Sequence, residues 1–189
     1  MVQNLLERLA IALDQGQIPY LIIGGQAVLL YGEPRLTEDV DITLGVGPEN
    51  LNLLLELAQK NSWDVLIHDP KTFVQKTLVL PCQDRLSGSR LDFIFSLSEY
   101  ERQAMKRAHV VAIGAAQVRF ASLEDLIIHK LMAGRSRDEE DIRGMLNRQP
   151  RLDREYLRFW LQQMDQDPTI NMANRLLAIE ASLNRTAAD

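Results

Sequence analysis

Two aspartates, Asp39 and Asp41, stand at alternate positions in a segment that reads DVDITLGV over residues 39–46. Side chains alternate between the two faces of a strand, so this spacing puts both carboxylates on one face and Val40 and Ile42 on the other. Two carboxylates held this close repel each other, and a divalent cation between them relieves the repulsion. Because Mg²⁺ prefers carboxylate oxygens and keeps waters and substrate phosphates as further ligands, the pattern predicts a magnesium site.

A third aspartate, Asp92, alternates with apolar residues in a second segment, LDFIF, at residues 91–95. If strands 39–46 and 90–95 are neighbours, three carboxylates converge, which is enough to hold two Mg²⁺ ions. Such a pair of ions can activate an attacking hydroxyl and stabilise a leaving pyrophosphate. The alternative is that the acids only lie at exposed strand ends. For a bare D-x-D pattern, that interpretation is correct more often than a metal site.

A pair of glycines, Gly24 and Gly25, directly follows the apolar segment PYLII at residues 19–23 and precedes a helical pattern. Glycines let a phosphate approach the backbone closely, and a helix N-terminus offers free N–H groups and a favourable dipole. The alternative is a tight turn that requires a positive φ. For the glycine pair alone, the tight turn is the favoured interpretation.

The order of elements predicts a mixed α/β (α+β) fold, with a mixed sheet flanked by helices and a helical C-terminal extension. We place the core at residues 1–121 and the extension, packed on that core, at residues 122–189. Helices are predicted at 3–15, 26–31, 49–60 and 98–107, with three or four more after Ser122, which is a good N-cap. Strands are predicted at 19–23, 39–46, 63–67, 72–80, 90–95, 109–113 and 117–120.

The bulk properties narrow the class of protein. The 189 residues carry a formal charge of −5, which argues against strong non-specific binding to nucleic acid. Cys82 is the only cysteine, which excludes an internal disulfide and a cysteine-based zinc cage. No segment has the roughly 18 apolar residues of a membrane span, and the first residues lack a signal-peptide pattern, so we expect a cytoplasmic protein without a membrane partner.

The combination from residue 21 to residue 46, LIIGGQAVLLYGEPRLTEDVDITLGV, together with Asp92 resembles the nucleotidyltransferase superfamily that includes DNA polymerase beta. In that superfamily a strand leads to Gly-Gly or Gly-Ser at a helix start, a [DE]-h-[DE]-h strand follows, and a third acid lies on a later strand. The resemblance implies an enzyme that takes a nucleoside triphosphate as substrate. Gly24 and Gly25 would hold the triphosphate, Asp39 and Asp41 would bind Mg²⁺, and Asp92 would help to bind metal and activate the nucleophile.

The spelling Arg35-x-Thr37-x-Asp39-x-Asp41 is similar to that of small bacterial members, including toxin-like enzymes of abortive-infection and toxin–antitoxin systems. Lys130, followed by arginines and aspartates up to Asp141, fits the same group. The resemblance implies that Arg35 and Lys130 contact the nucleotide phosphates, and that RNA, a tRNA end or a cognate antitoxin protein is a partner. The alternatives are that Arg35 braces its loop and that Lys130 is a solvated surface lysine. Two later acids, Asp138 and Asp141, would orient Lys130 or Arg137, or complement a helix dipole.

Other classes of protein share part of the pattern. DVDIT matches the start of haloacid-dehalogenase-type phosphatases, but there the nucleophilic aspartate ends an apolar strand, and here EPRLTE precedes Asp39. A binding module of the same fold without catalysis and a metal-dependent nuclease or phosphohydrolase stay open as alternatives. The many arginines after residue 134 predict either a groove for RNA or an acidic partner protein, or a solvated face paired with the acids among them. The sequence does not indicate the acceptor, the nucleotide or the oligomeric state.

Overall fold

The computed structural model describes residues 2–34, 36–37, 39–149, 151–166 and 170–186. Residues 184–186 are described by their backbone alone. The strands are β1 (Tyr20–Ile23), β2 (Val40–Leu44), β3 (Trp63–Val65), β4 (Val79–Asp84), β5 (Arg90–Phe95), β6 (His109–Ile113) and β7 (Ala116–Phe120). The helices are α1 (Val2–Gln15), α2 (Gly24–Tyr31), α3 (Leu51–Lys60), α4 (Pro70–Thr77), α5 (Glu99–Lys106), α6 (Leu123–Ala133), α7 (Ser136–Arg148), α8 (Arg154–Met164) and α9 (Met172–Thr186). A 3-10 turn at Pro48–Asn50 precedes α3.

The chain forms two compact units. Among the described residues, the first unit contains 2–26 and 36–121. The second unit contains 27–34 and those from Ser122 onward. Helix α2 therefore begins in the first unit and continues in the second. The predicted mixed α/β fold with a helical C-terminal part is confirmed, whereas the division at residue 121 into core and extension stays a prediction.

The first unit is built on a seven-stranded mixed sheet in the order β3-β4-β5-β2-β1-β7-β6. Strand β2 runs parallel to β5 and β1 runs parallel to β7, and the other neighbours are antiparallel. Helix α1 contributes buried leucines at positions 5, 9 and 13, a spacing near the helical repeat. Strand β1 is apolar and buried throughout, as expected for a strand that is covered on both faces, whereas β5 alternates between buried apolar residues and more exposed ones.

One predicted element was wrong. Residues 72–80 were predicted as a strand, but Pro70–Thr77 is helix α4 and β4 begins only at Val79. Asp69 is the N-cap of α4 and accepts a hydrogen bond from the backbone N–H of Thr72, while proline occupies the first turn. These are standard helix-start signals, and they outweigh the β-branched and aromatic residues that follow them.

The second unit is helical, with a core of apolar residues from α2, α6, α7, α8 and α9. Ser122 caps α6, as predicted: its hydroxyl accepts a hydrogen bond from the N–H of Asp125 at 3.2 Å. No helix in the described ranges is both long and apolar enough to cross a membrane.

Candidate active site

The first unit places Asp41 and Asp92 side by side. They are direct partners in the register of the parallel strands β2 and β5, and neighbouring strands lie about 4.8 Å apart. Both side chains are half-buried. The residues next to them in each strand point the other way and are fully buried: Val40, Ile42, Leu91 and Phe93. The two strands are neighbours, which is the condition on which convergence of the carboxylates depended. The alternation of faces fixes both carboxylates on the same side of the sheet.

Asp39 lies just outside this pair. It is exposed and precedes β2, which begins at Val40 rather than at residue 39. Across the described parts of the chain, no group of three histidines, cysteines, aspartates or glutamates is arranged to hold a metal ion. The assignment of Asp39 as a third carboxylate ligand therefore stays a prediction.

Gly24 lies directly against the carboxylate of Asp41. Its φ is +62°, in the left-handed region that glycine adopts without a steric penalty. A Cβ atom added to Gly24 would overlap Oδ2 of Asp41 and would lie 2.7 Å from its Cγ. Helix α2 begins at the two glycines rather than at Gln26 as predicted, so the Asp41 carboxylate meets the first turn of this helix. A negative charge is favourable there because the first N–H groups of a helix lack intrahelical partners.

Asp92 is paired with an arginine that the sequence interpretation missed. The Nε atom of Arg90 lies 3.0 Å from Oδ1 and 2.9 Å from Oδ2 of Asp92. Arg90 is two residues before Asp92 in β5, so both side chains stand on one face of the strand. The R-x-D spacing within a predicted strand was the signal that could have revealed this pair.

Cys82 lies close to this carboxylate but on the buried side of the sheet. It belongs to β4 and is the register partner of Leu91. Burial, and then the negative charge of Asp92, raise the pKa of the Cys82 thiol to about 12. Since the thiolate is the reactive form, Cys82 is not a nucleophile of this site.

The donor set fits a magnesium ion that is only partly held by protein. Asp41 and Asp92 are adjacent carboxylates on one face, and the absence of a side chain at Gly24 leaves room for the carboxylate of Asp41. Mg²⁺ is usually bound through one or two carboxylates together with waters and substrate phosphates, rather than by a cage of protein ligands. Two carboxylates beside a helix N-terminus meet that requirement.

Lys130, in the second unit, is buried and ion-paired. Its Nζ atom lies 2.7 Å from Oδ1 of Asp138 and 2.7 Å from Oδ2 of Asp141, and all three residues are less than 10% exposed. The interpretation of Lys130 as a solvated surface lysine is therefore wrong. Asp138 and Asp141 both pair with Lys130, which was one of the partners predicted for them. Asp138 also accepts a hydrogen bond from the backbone N–H of Arg135 at the start of α7, so the alternative of a helix N-terminal acid applies to it as well. Contact of Lys130 with nucleotide phosphates stays a prediction.

The remaining predicted basic groups divide into two sets. Arg35 lies outside the described residues. Several arginines of the helical part form ion pairs with acids of the same unit, which supports the solvated-face interpretation for these positions: Arg135 with Asp138, Arg143 with Glu139, Arg148 with Glu33 and Arg154 with Glu180.

Comparison with solved structures supports the fold. An antigenic nucleotidyltransferase-like protein from Paracoccidioides brasiliensis superposes with a TM-score of 0.57 at 20% identity, over 93% of this chain and 92% of that chain. ANT(2'')-Ia in complex with adenylyl-2''-tobramycin superposes with a TM-score of 0.54 at 15% identity, over 98% of each chain.

Comparison at the sequence level identifies the family. No curated protein sequence matches the chain. The model of a protein family described as "Nucleotidyltransferase of unknown function (DUF6036)" matches residues 1–167, which is most of the chain. This chain therefore belongs to that family of nucleotidyltransferases.

Proposed function

We propose that this protein is a Mg²⁺-dependent enzyme that transfers a nucleoside monophosphate from a nucleoside triphosphate to an acceptor hydroxyl. The observation that carries the proposal is the position of the Asp41 carboxylate, in register with Asp92 on the next strand and against Gly24 at the start of α2. Family membership and the shared fold support the same reaction class. The proposed catalytic core is residues 1–121, with residues 122–189 as its extension.

In the proposed site Asp41 and Asp92 would hold the metal, and Asp39, which is exposed and directly precedes β2, would be an additional ligand. Bound Mg²⁺ would neutralise triphosphate charge and orient the phosphates for in-line displacement. The proposal includes a second Mg²⁺ ion at the same carboxylates. The backbone N–H groups of Gly24 and Gly25 donate to phosphate oxygens at the N-terminus of α2. By the family resemblance, Arg35 would add a phosphate contact.

The reaction would proceed by attack of the acceptor oxygen on the α-phosphorus. A bond forms between that oxygen and phosphorus as the bond from phosphorus to the bridging oxygen breaks, and the electron pair leaves with pyrophosphate. The hydroxyl proton passes to the carboxylate of Asp92, which acts as the general base. The buried ion pairs of Lys130 favour a role in joining α6 to α7 over direct phosphate contact, since moving its Nζ would leave two buried carboxylates without their cation.

The acceptor class is the open part of the proposal, with RNA or a tRNA end, a protein side chain and a small molecule as candidates. A nucleotidylated small molecule, adenylyl-2''-tobramycin, is bound in the structure of ANT(2'')-Ia. Small molecules that carry a hydroxyl group are therefore the first acceptors to test, with ATP as the first donor. A toxin role with a cognate antitoxin would apply if the acceptor is RNA or protein.

The test is calorimetric titration of each nucleoside triphosphate in the presence of Mg²⁺, followed by an assay of pyrophosphate release. We expect the Asp39→Asn/Asp41→Asn variant to lose metal-dependent binding, and Asp41→Asn alone to abolish transfer while the fold remains intact by circular dichroism. Asp64→Asn is the control, because Asp64 is a partly exposed acid of β3 in an ion pair with Arg85. Full transfer by Asp41→Asn would refute the metal assignment.

Two other results would point to the alternative functions. Well-folded wild-type protein that binds no triphosphate would indicate a module of the same fold that has lost catalysis. Cleavage of nucleic acid without pyrophosphate release would indicate a metal-dependent nuclease.

A further inference from the structure

The pairing of Arg90 with Asp92 bears directly on how the site becomes active. A single guanidinium nitrogen lies within 3.0 Å of both oxygens of the Asp92 carboxylate. In this position the cation occupies the space between the two oxygens that a metal ion or a substrate proton would approach. A positive charge there also repels a divalent ion. The carboxylate that the proposed reaction needs is thus covered by a residue of its own strand.

The contact is easy to break. The Arg90 side chain is 51% exposed and that of Asp92 is 21% exposed. Ion pairs with this degree of exposure usually change an equilibrium by less than about fivefold. Arg90 also stems from the outer end of β5, while the fully buried side chains of that strand point to its other face. Its guanidinium can therefore leave Asp92 without disturbing the core.

Arg90 also stands at the end of the strand pair where the triphosphate is proposed to bind. Val40 pairs with Leu91, so Arg90, which precedes Leu91, rises at the same end of the two strands as Asp39, which precedes Val40. An arginine fork matches the oxygens of a phosphate and can bind two of them at once. A released Arg90 would thus have an anion to bind once a nucleotide is present.

We propose that Arg90 pairs with Asp92 in the nucleotide-free protein and moves to the phosphates of the nucleoside triphosphate when the metal–nucleotide complex binds. Arg90 would then have opposite effects on two affinities. It would weaken binding of a metal ion alone, because it competes for Asp92, and it would strengthen binding of a metal ion together with nucleotide, because it contacts the phosphates. The inference rests on the proposed function. It adds a residue that couples metal binding to substrate binding.

The test measures Mn²⁺ affinity by electron paramagnetic resonance, with and without an α,β-methylene nucleoside triphosphate, on the full chain. We expect Arg90→Gln to tighten binding of Mn²⁺ alone by about two- to fivefold, because the competing ion pair is removed. The same variant should weaken binding of the Mn²⁺–analogue complex by about tenfold or more, since charge-assisted hydrogen bonds to phosphate are lost. Arg90→Lys should show smaller changes in both directions.

Arg85→Gln is the matched control. It removes the same charge from the same unit, and Arg85 likewise forms an exposed ion pair with an aspartate, Asp64. We expect it to change neither affinity. The inference is overturned if Arg90→Gln shifts both affinities in the same direction, leaves either one unchanged, or behaves like Arg85→Gln.

Failure of the proposed function gives a different result. If wild type, Arg90→Gln and Arg85→Gln all fail to bind every Mn²⁺–analogue complex, the proposed nucleotidyl transfer activity itself is refuted. If wild type binds a complex and the opposite-sign response is missing, only the assignment of Arg90 is refuted.

Discussion

Replacement of Gly24 by alanine tests whether the position of Asp41 matters for the reaction. Gly24 has a φ of +62°, and an added Cβ would overlap Oδ2 of Asp41. Gly88, in the connection between β4 and β5, has a φ of +73°, and an added Cβ there would meet no atom within 4 Å. The two alanine variants therefore share the backbone penalty, about 1–2 kcal/mol for an L-residue in the left-handed region, and differ in the clash.

The clash sets the magnitude of the functional effect. Relaxed carbon–oxygen contacts lie near about 3.5 Å, so the Asp41 carboxylate must move by more than about 1 Å to accommodate the methyl group. A displacement of about 1 Å at a reacting centre can cost about 100-fold in rate. We expect Gly24→Ala to lower pyrophosphate release about 100-fold, and Gly88→Ala to leave it within about twofold of wild type.

Two measurements separate stability from function. Urea denaturation followed by circular dichroism should show a loss of about 1–2 kcal/mol in the free energy of unfolding for Gly88→Ala, and at least that for Gly24→Ala. Pyrophosphate release is then measured under conditions where both variants are folded. Equal rates for the two variants would refute the argument that Gly24 fixes the carboxylate of Asp41 for catalysis.

Two further predictions concern the second unit. Lys130→Met should lower the free energy of unfolding by about 3–5 kcal/mol in urea denaturation, because it leaves the buried carboxylates of Asp138 and Asp141 without their cation. The control Arg143→Met removes a more exposed ion pair and should lower it by less than about 1 kcal/mol. Equal losses for the two variants would contradict the reasoning. Burial lowers the pKa of His129 to about 4, so between about pH 4 and 6.5 the unfolded chain binds more protons than the folded chain. The free energy of unfolding, measured by urea denaturation, should therefore fall by about 2 kcal/mol from pH 7 to pH 5 on account of His129. His129→Gln should remove that part of the loss.

The sequence contained enough information to find the acids but not to position them against each other. Alternation of apolar and acidic residues correctly placed Asp41 and Asp92 on the open faces of two strands. Their direct pairing depends on the register between β2 and β5, and a shift of one residue would put the carboxylates on opposite faces. Long-range register of this kind follows from packing of the whole sheet, which local patterns do not encode.

Lys130 shows a different limit of sequence reasoning. A lysine on an amphipathic helix is usually solvated, and Asp138 and Asp141 also fit as acids of a helix N-terminus. Only the packing of α6 against α7 brings the three charges together.

The misassigned helix α4 is a third case, because its start signals at Asp69 and Pro70 were visible in the sequence. There the information was present, and the periodicity of the following residues was misread.

The parallel pairing of β2 with β5 also has a consequence for how the protein folds. Asp41 and Asp92 are about fifty residues apart in the chain, and two strands and two helices lie between them. Closing so large a loop costs chain entropy before the contacts compensate, so such pairings tend to form slowly and late. Until then the two acids are isolated carboxylates with little preference for a divalent ion. Any metal–nucleotide complex would bind only the completed sheet and would stabilise it by mass action, so that substrate itself selects the fully folded chain.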